Sequence, residues 1–140
     1  MSQSIRPCTP DEFDAVLALW RDAAAATVTD DIEGLRALLE HDRDGLLVAI
    51  RGDAIVGTVI AAWDGWRGGI YRLVVAPSQR RRGLAGELVR AAVTSLEQRG
   101  VRRIAAVVDA DDEQAMAFWT AASRLGFERS EDRERFTYTR

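Results

Sequence analysis

The chain has 140 residues, 47% of them apolar and 29% charged, with a formal net charge of −3 and a pI near 5.2. That balance belongs to one soluble globular domain, large enough to fold without disulfides or metal, and its bulk charge gives no reason to expect nucleic acid binding. Cys8 is the only cysteine and His41 the only histidine, which excludes an internal disulfide and a cysteine-based zinc site.

Along the chain, Ser4-Ile5-Arg6-Pro7 reads as a short first strand. Thr9 then caps a helix, with Pro10 in its first turn and Asp11 and Glu12 at its positive end. Phe13, Val16, Leu17, Trp20 and Ala24 give that helix one apolar face. After Thr27–Asp31 a shorter helix carries Ile32, Leu35, Leu38 and Leu39. The pattern changes at Gly45–Arg51, an apolar run suited to a buried strand. Gly52-Asp53 turns the chain into a returning strand, Ala54–Trp63. Ile70–Val75 is the next strand, stopped by Ala76-Pro77. Leu84, Leu88, Ala92 and Leu96 mark a long helix that ends at Arg99-Gly100. Arg103–Val108 is a strand, Asp111 or Asp112 caps a helix running through Arg124, and Arg135–Thr139 closes as a last strand with Phe136 and Tyr138 alternating. This order predicts a single domain over residues 1–140 of mixed α/β class, one sheet flanked by helices. With no charged-then-apolar leader and no long apolar run, a cytoplasmic protein without membrane contact is expected.

The stretch that carries chemistry is Val74-Val75-Ala76-Pro77-Ser78-Gln79-Arg80-Arg81-Arg82-Gly83-Leu84-Ala85. A strand ends, and a loop with three arginines and a glycine enters a long helix. The first turn of a helix has unpaired N–H groups at the positive end of its dipole. Gly83 lets a ligand approach the backbone, and pyrophosphate is the natural guest. Two other phosphate motifs are absent: there is no G-x-x-x-x-G-K-[ST], and Gly83-Leu84-Ala85-Gly86 does not fit G-x-G-x-x-G.

What remains is R-x-x-G-x-A, at Arg80, Gly83 and Ala85. It resembles the acetyl-CoA signature Q/R-x-x-G-x-G/A of the GNAT (Gcn5-related N-acetyltransferase) family. Ala117-Phe118-Trp119 and Arg124-Leu125-Gly126-Phe127-Glu128 are similar to that family's late helix and turn, A-x-x-F-Y-x-x-x-G-F. The hairpin Trp63-Asp64-Gly65-Trp66-Arg67-Gly68 looks like that of small bacterial members. The resemblance covers nearly the whole chain. It implies a GNAT fold: a mostly antiparallel central sheet of six to seven strands, about four flanking helices, and splayed central strands.

The resemblance further implies transfer of an acetyl group from acetyl-CoA to a primary amine of a small molecule or a protein amino terminus. The amine attacks directly in a ternary complex. Leu73, Val74 and Val75 would meet the pantetheine arm and thioester, with the Val75 N–H as the donor to the carbonyl. Arg80, Arg81, Arg82, Gly83, Leu84, Ala85 and Gly86 would hold the pyrophosphate. The family's late-helix Tyr, which protonates the leaving thiolate, is replaced by Trp119, which has no suitable proton. Tyr71, Ser123 and Tyr138 are the remaining candidates for proton transfer. Asp30 and Asp31 would border the acceptor entrance. No metal is expected, since helix capping explains Asp109, Asp111 and Asp112. No nucleic acid partner is expected, and a homodimer is compatible with the sequence. The alternative is a non-catalytic acyl-CoA-binding regulatory module of the same fold, which the missing Tyr favours.

Overall fold

The apolar runs between Leu46 and Val75 form the centre of a five-stranded sheet in the computed structural model, which describes residues 3–140. The strands are β1 (Gln3–Pro7), β2 (Leu46–Arg51), β3 (Ala54–Trp63), β4 (Gly68–Val75) and β5 (Ile104–Ala106), in that spatial order. The first three pairings are antiparallel and β4–β5 is parallel, so the sheet is mixed. The helices are α1 (Phe13–Ala23), α2 (Ile32–His41), α3 (Leu84–Glu97) and α4 (Glu113–Thr120). By internal contacts the chain forms two units, Met1–Val107 and Val108–Arg140. The first holds the sheet with α1, α2 and α3; the second holds α4 and the segment after it.

In the first unit, side-chain alternation along the strands sets a core on each face of the sheet. Leu46, Val48 and Val74 pack with Phe13, Val16, Leu17 and Trp20 of α1 and Leu35 of α2. Gly57 lies on the opposite face, where an added Cβ would meet Leu88 at 2.9 Å, and Gly68 likewise meets Leu96 at 2.8 Å. Those close approaches let α3 lie tight against β3 and β4. Local signals set the helix starts. Thr9 and Glu12 form a capping box around a 3₁₀ turn, Pro10–Glu12, that leads into α1. Asp31 caps α2 by accepting from the Gly34 N–H at 2.7 Å.

The sheet has five strands, not the six to seven expected. The expected strand Arg135–Thr139 is absent among the described residues. Phe136 and Tyr138 are 95% and 88% exposed, among charged neighbours. Two alternating aromatics bury nothing without a paired neighbour, and a strand exists only through its ladder. The helix expected to run through Arg124 stops at Thr120, and a 3₁₀ turn, Ala122–Leu125, follows. This tighter turn and the left-handed Gly126 (φ 91°) bring Phe127 back onto Trp119, at 5.1 Å between ring centroids. The strand expected over Arg103–Val108 is confined to Ile104–Ala106, the three residues that pair with Gly68–Ile70 of β4.

Candidate functional site

The middle of β4 carries a bulge. Thr58 of β3 pairs with Val74, while Ile60 pairs with Tyr71, so Arg72 and Leu73 together oppose Val59. Arg72 takes a left-handed φ of 49° there. The effect is visible in side-chain direction. Gly68 faces α3, and so does Val75, the partner of Gly57, although an odd number of steps separates them. An unbroken strand would have sent Val75 to the other face.

A buried polar chain fixes the bulge. Trp20 Nε1 donates to Thr58 Oγ1 at 2.8 Å, and Thr58 Oγ1 donates to the Arg72 carbonyl at 2.9 Å. Thr58 is fully buried, and both of its bonds go to this purpose. The Arg72 guanidinium stacks over Trp20 at 5.1 Å from the ring centroid. It donates to the Ala25 carbonyl at 2.8 Å and forms an ion pair with Asp30, Nε to Oδ1 at 3.1 Å. Burial lowers the Arg72 pKa from its ordinary 12.5. Asp30 also accepts from the Thr27 N–H and hydroxyl, so its charge is spent inside the α1–α2 connection rather than offered to a ligand. Sequence reading missed this clamp. The signals were a threonine inside the apolar run Ile55–Ala62 and a tryptophan on the apolar face of α1.

Beyond the bulge, β4 has an open edge. Its ladder with β5 ends at Ile70–Ala106, so within the first unit Tyr71–Val75 have no strand on that side. Ala76 N–H donates to the Val56 carbonyl of β3 at 2.8 Å. Since backbone N–H groups alternate in direction, the Val75 N–H points away from β3, to the open edge.

The chain then passes through a 3₁₀ turn, Pro77–Gln79, into the arginine loop and α3. Arg51 Nη1 holds Gln79 Oε1 at 2.9 Å, tying the loop to β2. Arg81 (φ 65°) and Gly83 (φ 78°) are both left-handed, and Gly83 caps α3. The helix ladder first closes with Glu87 N–H on the Gly83 carbonyl at 3.1 Å. Among the described residues, the N–H groups of Arg81 through Gly86 find no acceptor, in backbone or side chain. Nothing lies within 4 Å of a Cβ built on Gly83, so the space over the helix mouth is clear. Arg80 is half-buried; Arg81 and Arg82 are exposed. Free amides, a helix dipole and guanidinium groups suit a diphosphate.

The other residues singled out by sequence are placed as follows. Leu73 is half-buried on β4, and Val74 is buried in the core with α1. Tyr71 stands one residue before the bulge, 54% exposed, its ring over Gly69. Ser123 is exposed in the 3₁₀ turn of the second unit, and Tyr138 lies in the same unit outside any strand. Trp119 is half-buried and packs edge-on with Phe118 and Phe127. Cys8 is buried, and burial first, then Glu12, pushes its pKa up to about 12, so it is a thiol and no nucleophile at neutral pH. His41 Nε2 lies 2.9 Å from the Trp63 carbonyl. Asp112 caps α4, accepting from Ala115 N–H at 3.0 Å, and Asp109 accepts from Asp111 N–H at 3.0 Å. Among the described residues no three His, Cys, Asp or Glu side chains converge as a metal site, and no helix is long and apolar enough to cross a membrane.

A strand that loses its neighbour beside a helix mouth with unpaired amides suits an extended ligand ending in a diphosphate. Comparison with known proteins gives the class. The family model "Acetyltransferase (GNAT) family" matches residues 10–127. An acetyltransferase of Pectobacterium atrosepticum is 34% identical over 116 residues, 82% of each chain. The crystal structure of Ard1 from Thermoplasma volcanium superposes with a TM-score of 0.79 at 16% identity, covering 93% of this chain and 85% of that one. The structure of AAC(6')-Iy in complex with the bisubstrate analog CoA-S-monomethyl-acetylneamine superposes with a TM-score of 0.76 at 20% identity, covering 100% and 99%. The chain belongs to the GNAT acetyltransferase family and is an acyl-CoA-dependent acetyltransferase.

Proposed function

We propose that the protein transfers an acetyl group from acetyl-CoA to a primary amine, of a small molecule or a protein amino terminus, by direct attack in a ternary complex. The observation that carries this reading is the run of acceptor-free amides from Arg81 to Gly86, at the end of a strand whose outer edge is open. In this reading the loop amides and the Arg80 and Arg82 guanidinium groups hold the pyrophosphate. The pantetheine arm lies along Leu73–Val75 and pairs with their backbone, as an added strand would. The Val75 N–H donates to the thioester carbonyl oxygen as negative charge develops on it. The bulge supports the assignment, because it turns Val75 relative to the first half of β4 and is itself locked by Thr58 and Trp20.

Proton transfers are assigned to Tyr71, Ser123 and Tyr138 as candidates. Tyr71 is the one whose backbone adjoins the bulge, and it serves as a relay from the amine through water. Ser123, Tyr138 or a water would return a proton to the thiolate where the family's Tyr is replaced by Trp119. We read both units as one catalytic domain, because the family match, over residues 10–127, extends from the first unit into the second.

The test is release of free CoA thiol from acetyl-CoA with a panel of small amines and peptides with free amino termini. Turnover with one acceptor class supports the reading. Cofactor binding without turnover on any amine would instead favour the non-catalytic module.

A further inference from the structure

We propose that the turn between β3 and β4 and the connection between α3 and β5 together form a second ligand site, one that takes a nucleotide. Trp66 and Arg67 from the turn and Arg102 and Arg103 from the connection line a depression of about 350 Å³. It lies at the start of β4, the opposite end of that strand from the arginine loop. The two segments are joined by the Gly68 N–H on the Arg103 carbonyl at 3.0 Å.

Charge and exposure both point to a ligand. Arg67, Arg102 and Arg103 have no ion-pair partner among the described residues, in a chain whose net charge is −3. Arg99, close in sequence, differs in its counter-charge: it pairs with Asp42 and Asp44. Like charges gathered without counter-charge repel each other, a cost that a bound anion removes. Asp64 does not supply the counter-charge by contact. Its Oδ1 accepts from the Arg67 and Trp66 N–H groups at 2.7 and 2.8 Å, which fixes the turn and, with a smaller contribution from the Arg67 charge, lowers its pKa; among the described residues, Arg102 and Arg103 have no such neighbour in contact. Trp66 is 69% exposed, an apolar ring left in water, with the Arg67 guanidinium 4.1 Å from its centroid. Guanidinium groups match phosphate oxygens in fork geometry, and an indole face takes a base by stacking.

ATP is the probe, titrated by calorimetry into protein already saturated with CoA so that the arginine loop is blocked. The site predicts binding that survives CoA saturation. The double variant Arg102→Gln, Arg103→Gln should weaken ATP binding by about tenfold or more. Trp66→Ala should weaken ATP but leave inorganic pyrophosphate unaffected. Unchanged stabilisation by CoA in each variant reports that the fold is intact, and each substitution is at an exposed position. Absence of ATP binding at CoA saturation, or undiminished binding in the double variant, overturns the proposal. So does binding of a single-stranded oligonucleotide or a Glu-rich peptide in preference to ATP.

Discussion

The Arg72 guanidinium closes on the Asp30 carboxylate, 42 residues earlier in the chain, and so ties the α1–α2 connection to the bulge of β4. Both side chains are largely buried, at 16% and 14% exposure. Removing one partner of such a pair leaves the other buried without compensation, which costs more than the pair contributes. Asp30→Asn should therefore loosen the connection where the acceptor is proposed to enter. The expected kinetic result is a raised KM for the amine with little change in acetyl-CoA affinity, measured by initial rates with each substrate varied.

Thr58 is a single hydroxyl serving two buried groups. Thr58→Val keeps the shape and strands both the Trp20 indole N–H and the Arg72 carbonyl. We expect a loss of roughly 1–3 kcal/mol in urea unfolding, the usual cost of a buried polar group left unpaired. A loss of activity larger than the stability change explains would follow if the bulge aims Val75. Wild-type stability in this variant would show that the chain of bonds is dispensable.

Gly83 separates backbone strain from ligand exclusion. Its φ of 78° disfavours any side chain, yet a Cβ would touch nothing. Gly83→Ala should cost about 1 kcal/mol of stability and retain weakened cofactor binding. Gly83→Glu should abolish binding, because a carboxylate then occupies the anion position. Thermal stabilisation by acetyl-CoA distinguishes the two variants.

The Arg6–Glu12 pair makes a pH prediction. Glu12 is held at a pKa of about 2, first by its hydrogen bond to Arg6 and also by the Thr9 N–H and hydroxyl, against 4.5 unperturbed. A depressed carboxylate stabilises the fold fully above its unfolded pKa and loses that contribution as pH falls towards its folded one. The Tm difference between wild type and Glu12→Gln should thus be constant above pH 4.5, shrink below it, and vanish near pH 2. A difference that persists unchanged to pH 2 contradicts the ion pair's role.

Cys8 gives a negative control. As a buried thiol with a raised pKa it should resist alkylation by iodoacetamide at pH 8 until the protein is unfolded, and Cys8→Ala should keep full acetyl transfer. Rapid labelling of native protein, with loss of activity, would contradict this.

Local signals were readable in the sequence wherever one residue type decides the outcome. Pro10 and Thr9 placed the start of the first helix, Gly52-Asp53 the β2–β3 turn, and Gly83 the entry to α3. Strand β3 falls at Ala54–Trp63, as its pattern predicts. What depends on partners distant in sequence was not readable. The bulge at Arg72 exists because Thr58 and Trp20 hold it, and nothing in the run Ile70–Val75 announces it. The expected last strand failed because Phe136 and Tyr138 alternate but bury nothing. The arginine loop was legible as chemistry; the direction of the Val75 N–H, set by Ala76 pairing with Val56, was not.

In the proposed function, the amides at the mouth of α3 and the Val75 N–H receive the cosubstrate. Amide NMR of the ¹⁵N-labelled protein titrated with acetyl-CoA observes those groups one by one. Arg81 through Gly86 and Val75 should move together and saturate at one affinity, while amides already bonded, such as Ala76 on Val56, should move little. Perturbations that leave Arg81–Gly86 still and cluster elsewhere would contradict it.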